Sequence, residues 1–301
     1  MAEHTGVTRP VDAELLASLS SMELRARALV DGYYSGHHRS PYRGASVEFA
    51  DHRAYTHGDE LRHLDWRLYG RSDRFFVKQF EAETNLTVHL LLDASGSMGY
   101  PERGVSKLAC AAYLAAGLAY LAWRQRDAVG LSVFDTEVRA QLPPQTRRGH
   151  VQQVFEALEQ LAPGGETAVA QVLEAAGTAL RRRGLIMLLS DLLEDADEIL
   201  HALAVLRGRG HDVIVLQVLD RGELELGLRG PVLVEDLETR AALATDADEL
   251  RAEYDEAMRA HLERLHDGCV AHNIDYRLFM TDRPLGPALV AYLAHRRRRR
   301  R

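Results

Sequence analysis

The stretch Leu86-Thr-Val-His-Leu-Leu-Leu92 runs directly into Asp93-Ala94-Ser95-Gly96-Ser97-Met98, and its reading decides the fold. A near-continuous apolar run this short describes a strand buried on both faces, as in a parallel sheet covered by helices. The loop at the C-terminal end of such a strand is where α/β folds place their ligands. Asp93, Ser95 and Ser97 stand there at i, i+2 and i+4. Ala94 and Gly96 are small enough for the backbone to turn tightly around a bound group. Three converging oxygen-bearing side chains suit a hard divalent cation. Magnesium takes about six oxygens and usually keeps some of them as water.

Working downstream, a helix is expected over residues 106–124 and strands over 129–134 and 137–142, the last two pairing as a hairpin. Helices follow at 151–161 and 168–182, a strand at 185–190, a helix at 196–207 and a strand at 213–219. Residues 221–247 are less regular. A charged helix over 248–269, a strand over 274–280 and a helix over 287–296 complete the pattern. Strands separated by helices at this spacing mean βαβ units and a mostly parallel sheet with helices on both faces. The division expected is an N-terminal extension (1–85), an α/β domain (86–295) and an arginine tail (296–301). In the extension, residues 1–35 read as helical, and short strands are expected near 46–49 and 75–80.

Two more residues extend the candidate site. Thr167 precedes a helix and offers a hydroxyl; Asp191 immediately follows a strand and offers a carboxylate. Two carboxylates and three hydroxyls make an oxygen-only set with room for water or an outside ligand. The competing readings are local. Asp93 and its serines could satisfy a turn, Thr167 could cap a helix, and Asp191 could be a turn residue.

The five positions Asp93, Ser95, Ser97, Thr167 and Asp191 resemble the metal-ion-dependent adhesion site of von Willebrand factor A (vWA) domains. The resemblance implies serine and threonine hydroxyls on Mg²⁺ (or Mn²⁺), aspartates acting through water, and a partner's carboxylate at the open position. Further upstream, Glu48-Phe49-Ala-Asp51-His-Arg53-Ala-Tyr55-Thr-His-Gly58-Asp59-Glu60-Leu-Arg62-His-Leu64-Asp65-Trp66-Arg67 resembles the signature of the bacterial domain of unknown function 58 family. Gly70-Arg71, Val77-Lys78, Phe80-Glu81 and Thr281-Asp282-Arg283-Pro284-Leu285 continue it, so the match spans residues 32–295. It implies an α/β, vWA-like fold. It also implies partnership with a MoxR-type AAA+ ATPase, and possibly with other vWA proteins, in the maturation of other proteins. An adaptor without catalytic activity is the expectation; a metal-dependent hydrolase or phosphatase, or an interaction protein with an empty metal site, are the alternatives.

Composition bounds these expectations. The chain has 301 residues and a net charge of −7, and six of its positive charges are the terminal arginines, so its body is more acidic still. Nucleic-acid binding is not expected of such a surface. Two cysteines cannot build a disulfide framework. The longest uncharged run, Leu108–Trp123, is too short to span a membrane. A cytoplasmic protein without a membrane span is expected. Gly99–Lys107 has Val105 where a phosphate loop needs lysine, so nucleotide binding is not expected. His37-His38 and the pair His57 and His63 lack the partners that would complete a zinc site.

Overall fold

The computed structural model describes residues 11–36, 52–56, 64, 66–78, 86–101, 104–180, 182–225, 229–235, 237–238 and 241–299. The chain divides into two compact units, residues 1–36 with 85–301, and residues 37–84.

The larger unit is built on a six-stranded sheet. Its strands are β3 (Thr87–Asp93), β4 (Ala128–Phe134), β5 (Val138–Gln145), β6 (Leu185–Ser190), β7 (Asp212–Leu219) and β10 (Asp275–Met280), in the spatial order β10-β7-β6-β3-β4-β5. All neighbours run parallel except β5, which turns back antiparallel on β4 and carries Pro143 and Pro144 near its end. Counted along the chain within this sheet, the order is that of a doubly wound fold, and its direction of winding reverses between β3 and β6. The expected mostly parallel α/β sheet is therefore present.

Strand side chains alternate between the two faces. Val88, Leu90 and Leu92 of β3, with Met187 and Leu189 of β6, pack into one core. That core is covered by α1 (Ala13–Ala17), α2 (Met22–Gly36), α4 (Lys107–Arg124), α5 (Arg148–Glu159) and α10 (Gly286–Arg299). Leu91, Ile186 and Leu188 face the other way, toward α6 (Val169–Ala179), α7 (Ala196–Gly208) and α9 (Ala247–Ala271). Helix α4 is the central cover. Ser106 caps it by accepting from the Ala109 amide, and its alanine-rich surface lets neighbouring helices approach closely. At Gly117, a Cβ would lie 2.7 Å from Leu29 Cδ2 of α2.

Helices α1 and α2 bury Ala13, Leu16, Met22, Ala26, Leu29 and Val30 in this core. Residues 11–36 thus belong with the α/β unit rather than with an extension running to residue 85. At the other end, α10 continues to Arg299, into the arginine run.

Residues 221–247, which lack periodicity, contain α8 (Arg221–Leu224) and a two-stranded hairpin of β8 (Pro231–Glu235) and β9 (Ala242–Asp246). The smaller unit pairs β1 (His52–Ala54) with β2 (Phe76–Lys78) antiparallel and carries α3 (Trp66–Ser72). Within it Tyr69 stacks on Phe75 at 4.5 Å between ring centroids, and Tyr55 meets Phe75 edge-on. The expected strand near 46–49 and the four histidines weighed as zinc ligands lie outside the described residues. Among the described residues, no helix is long and apolar enough to cross a membrane.

Candidate metal centre

Asp93 closes β3 and Asp191 follows β6, so the two carboxylates meet at the place where the sheet reverses its winding. Their surroundings connect all five sequence-derived residues into one chain of contacts. Thr167 Oγ1 donates to Asp93 Oδ2 at 3.4 Å, and the Ser95 amide donates to Asp93 Oδ1 at 2.9 Å. Ser95 Oγ and Ser97 Oγ lie 3.1 Å apart, and Ser97 Oγ donates to Asp191 Oδ2 at 2.7 Å. Asp93, Ser95 and Asp191 are buried; Ser97 and Thr167 are half-buried.

The local alternatives can be judged from these contacts. Asp93 does accept from the backbone two residues on, as a turn aspartate would, yet its other oxygen goes to Thr167 and to Ser190 Oγ, the latter at 2.6 Å. Thr167 is not the helix cap. Ala168 occupies that position, without a side-chain bond, while the threonine hydroxyl turns to Asp93. Asp191 directs Oδ2 across the sheet to Ser97 rather than into its own turn.

Backbone contacts hold the three loops together. Gly164 N donates to Ala94 O and Gly96 N to Gly165 O, so the loop before α6 lies along the Asp93 loop. Arg139 of β5 braces it, pairing with Asp135 and donating to the carbonyls of Ala162 and Gly164. After Asp191 the chain turns through Leu192, at φ 53°, a left-handed conformation that costs a leucine about 1 kcal/mol. Its carbonyl accepts from His261 of α9 at 2.6 Å. The Asp191 carbonyl accepts from Gln217 Nε2 at 2.6 Å, and Tyr276 OH in turn donates to Gln217.

The residue that sequence reading missed is Lys107. Its side chain is fully buried at the start of α4 and donates to Asp191 Oδ2 at 2.7 Å and to Glu223 Oε1. Glu223 completes the capping box of α8 with its second oxygen, which accepts from the Asp220 amide at 2.9 Å. Burial alone would lower the lysine's pKa, but the charges of Asp191 and Glu223 outweigh it and hold the pKa above its ordinary value. A signal did exist. Lys107 is one of two lysines in a chain that otherwise uses arginine.

Lys107 faces two carboxylates, Asp191 and Glu223, and Asp93 lies near Asp191 as a third, so negative charge remains in excess. The effect shows on Asp93, whose pKa rises to about 7, first through burial and then through the nearby charge of Asp191. A buried carboxylate held up by a like charge is where a cation is most stabilising. The five side chains offer only oxygen, which fits a hard cation such as Mg²⁺ better than zinc. Among the described residues, no group of three or more His, Cys, Asp or Glu side chains could hold a metal ion, so a metal here would need the serine and threonine hydroxyls.

Residues 51–264 match the family described as protein of unknown function DUF58. The chain belongs to the DUF58 family. This DUF58 protein is 28% identical over 294 residues to an uncharacterized protein of Mycobacterium tuberculosis, covering 95% of this chain and 91% of that one. An uncharacterized protein of Mycobacterium bovis matches to the same extent. Similar solved structures include the conserved hypothetical protein BatB from Bacteroides thetaiotaomicron, with a TM-score of 0.48, 18% identity, and coverage of 70% of the DUF58 chain and 98% of BatB. Another is the SpRpn10 VWA domain, with a TM-score of 0.42, 10% identity, and coverage of 68% and 94%.

Proposed function

We propose that this DUF58 protein is a non-enzymatic, metal-dependent protein-binding module. In this reading Asp93, Ser95, Ser97, Thr167 and Asp191 hold Mg²⁺ (or Mn²⁺). The observation that supports it is the unbroken chain of contacts Thr167–Asp93–Ser95–Ser97–Asp191 at the reversal point of the sheet. When bound, the cation supplies a positive centre for an acidic side chain of the partner. The chain's own residues do the rest. Ser190 and the Ser95 amide orient Asp93. Lys107 and Gln217 fix Asp191, and Arg139 presses the Thr167 loop into place. Charge pairing at such a half-buried site gives specificity more than raw affinity.

The family resemblance supplies the partner class, a MoxR-type AAA+ ATPase, and a role as adaptor in the maturation of other proteins in the cytoplasm. The test is a pull-down from native lysate with the tagged full chain, in Mg²⁺ and in excess EDTA. An AAA+ ATPase recovered with Mg²⁺, lost in EDTA and lost with Asp93→Ala is the expected result. Equal recovery in all three conditions removes the metal bridge. Turnover of a generic phosphate ester that disappears with Asp93→Ala makes the protein a hydrolase instead.

A further inference from the structure

The β8–β9 hairpin bends its tip onto the candidate metal centre. Glu238, between the two strands, accepts a hydrogen bond from the Thr167 backbone amide at 3.0 Å through Oε2. The neighbouring Leu237 carbonyl sits so close to the Asp93 loop that a Cβ on Gly96 would lie 2.7 Å from it. Only glycine leaves room for this approach. Leu237 therefore lies against the loop that carries Ser95 and Ser97, and Glu238 puts a carboxylate against the loop that carries Thr167.

The hairpin's strands are poorly anchored by comparison. Leu233 and Leu243 are 72% and 63% exposed. A two-stranded ribbon with little packing is marginal by itself. The tip also sits among like charges. Glu194 accepts from the Val169 amide at 2.7 Å, two residues along from the amide that Glu238 engages. Glu238 thus reaches the Thr167 amide from a ribbon whose own strands are largely exposed, so this contact can be exchanged for another without disturbing the core.

We propose that Glu238 is a built-in occupant of the site, standing where an acidic side chain of the partner would bind, and that the β8–β9 hairpin lifts to admit the partner. The inference rests on the metal-dependent binding reading above and adds its regulation. It identifies the ligand chemistry as a carboxylate carried on a projecting loop or ribbon, because that is what the chain itself presents.

The test uses the full chain, Mn²⁺ as the metal probe and acetate as the carboxylate probe, with wild type, Glu238→Gln and Glu238→Ala compared. Water-proton relaxation reports the solvent reaching bound Mn²⁺; amide hydrogen exchange reports the Thr167 N–H. Glu238→Ala should raise relaxivity by about twofold, as water a bound ion can keep gains access. It should make that signal respond to acetate at concentrations that leave wild type unchanged, with Glu238→Gln in between. Thr167 should exchange about tenfold faster in Glu238→Ala. Equal relaxivity and equal acetate response in all three proteins overturn the built-in occupant and leave the metal reading standing. If no protein binds Mn²⁺, the metal reading fails and the exchange data decide: faster Thr167 exchange in Glu238→Ala supports tip closure, and equal exchange overturns it.

Discussion

At the scale of single residues, the most consequential side chain is Lys107. A buried charge is tolerated only when paired, and breaking a buried pair by removing one partner costs about 3–5 kcal/mol. Lys107→Met leaves Asp191 and Glu223 buried or half-buried without their cation. Urea denaturation should show a loss of that size. The five candidate residues were picked out because each stands in a loop directly after a strand or before a helix that the sequence pattern already marks. Lys107 was passed over because its partners, 84 and 116 positions away, leave no local pattern beyond its being one of two lysines. Glu238 and Gln217 were hidden for the same reason: their contacts to Thr167 and Asp191 exist only once the sheet has formed.

At the scale of elements, periodicity located the strands and helices of the α/β core to within a few residues. It failed at the hairpin, where Val232, Leu233, Val234 and Leu243 form a ribbon lacking the polar–apolar alternation of a half-buried sheet. It read residues 1–35 as helical but put them with the extension, because their apolar residues are irregularly spaced; most of those described are buried in the α/β unit. Gly96→Ala offers a test of the hairpin's seating that leaves every charged residue in place. The new Cβ meets two backbone carbonyls, Leu237 O at 2.7 Å and Gly165 O at 3.2 Å. The hairpin tip should move, seen as increased proteolytic cleavage within residues 231–246. Removing residues 1–36 should have a broader effect. It exposes the face of α4 that α2 covers, and the shortened protein should aggregate on purification, measurable by light scattering.

At the scale of the whole molecule, stability should respond to acid through His89. The side chain is buried in β3, and its pKa is lowered to about 4, first by burial and then by the charge of His211. In the unfolded chain it titrates near 6.5. Between those values the unfolded state binds the extra proton, so stability falls as pH drops from about 7 toward 4, by up to about 3 kcal/mol. His89→Leu should flatten this loss, read as the difference between urea midpoints at pH 7 and pH 5 in the two proteins. Asp93, with its raised pKa, contributes the opposite slope in both proteins and cancels in the comparison.

The prolines on β5 have a consequence for how copies of this protein treat each other. An outermost strand normally presents a row of unused N–H and C=O groups that a second chain can join. In a regular strand, consecutive N–H groups point to opposite sides, so Pro143-Pro144 deletes one donor on each. On the inner side the gap coincides with the shift in pairing between Val129 and Leu131. On the outer side it interrupts the ladder an incoming strand would need. The sheet's antiparallel margin is thereby a poor seed for fibrous self-association, and crowded expression should leave it unpaired.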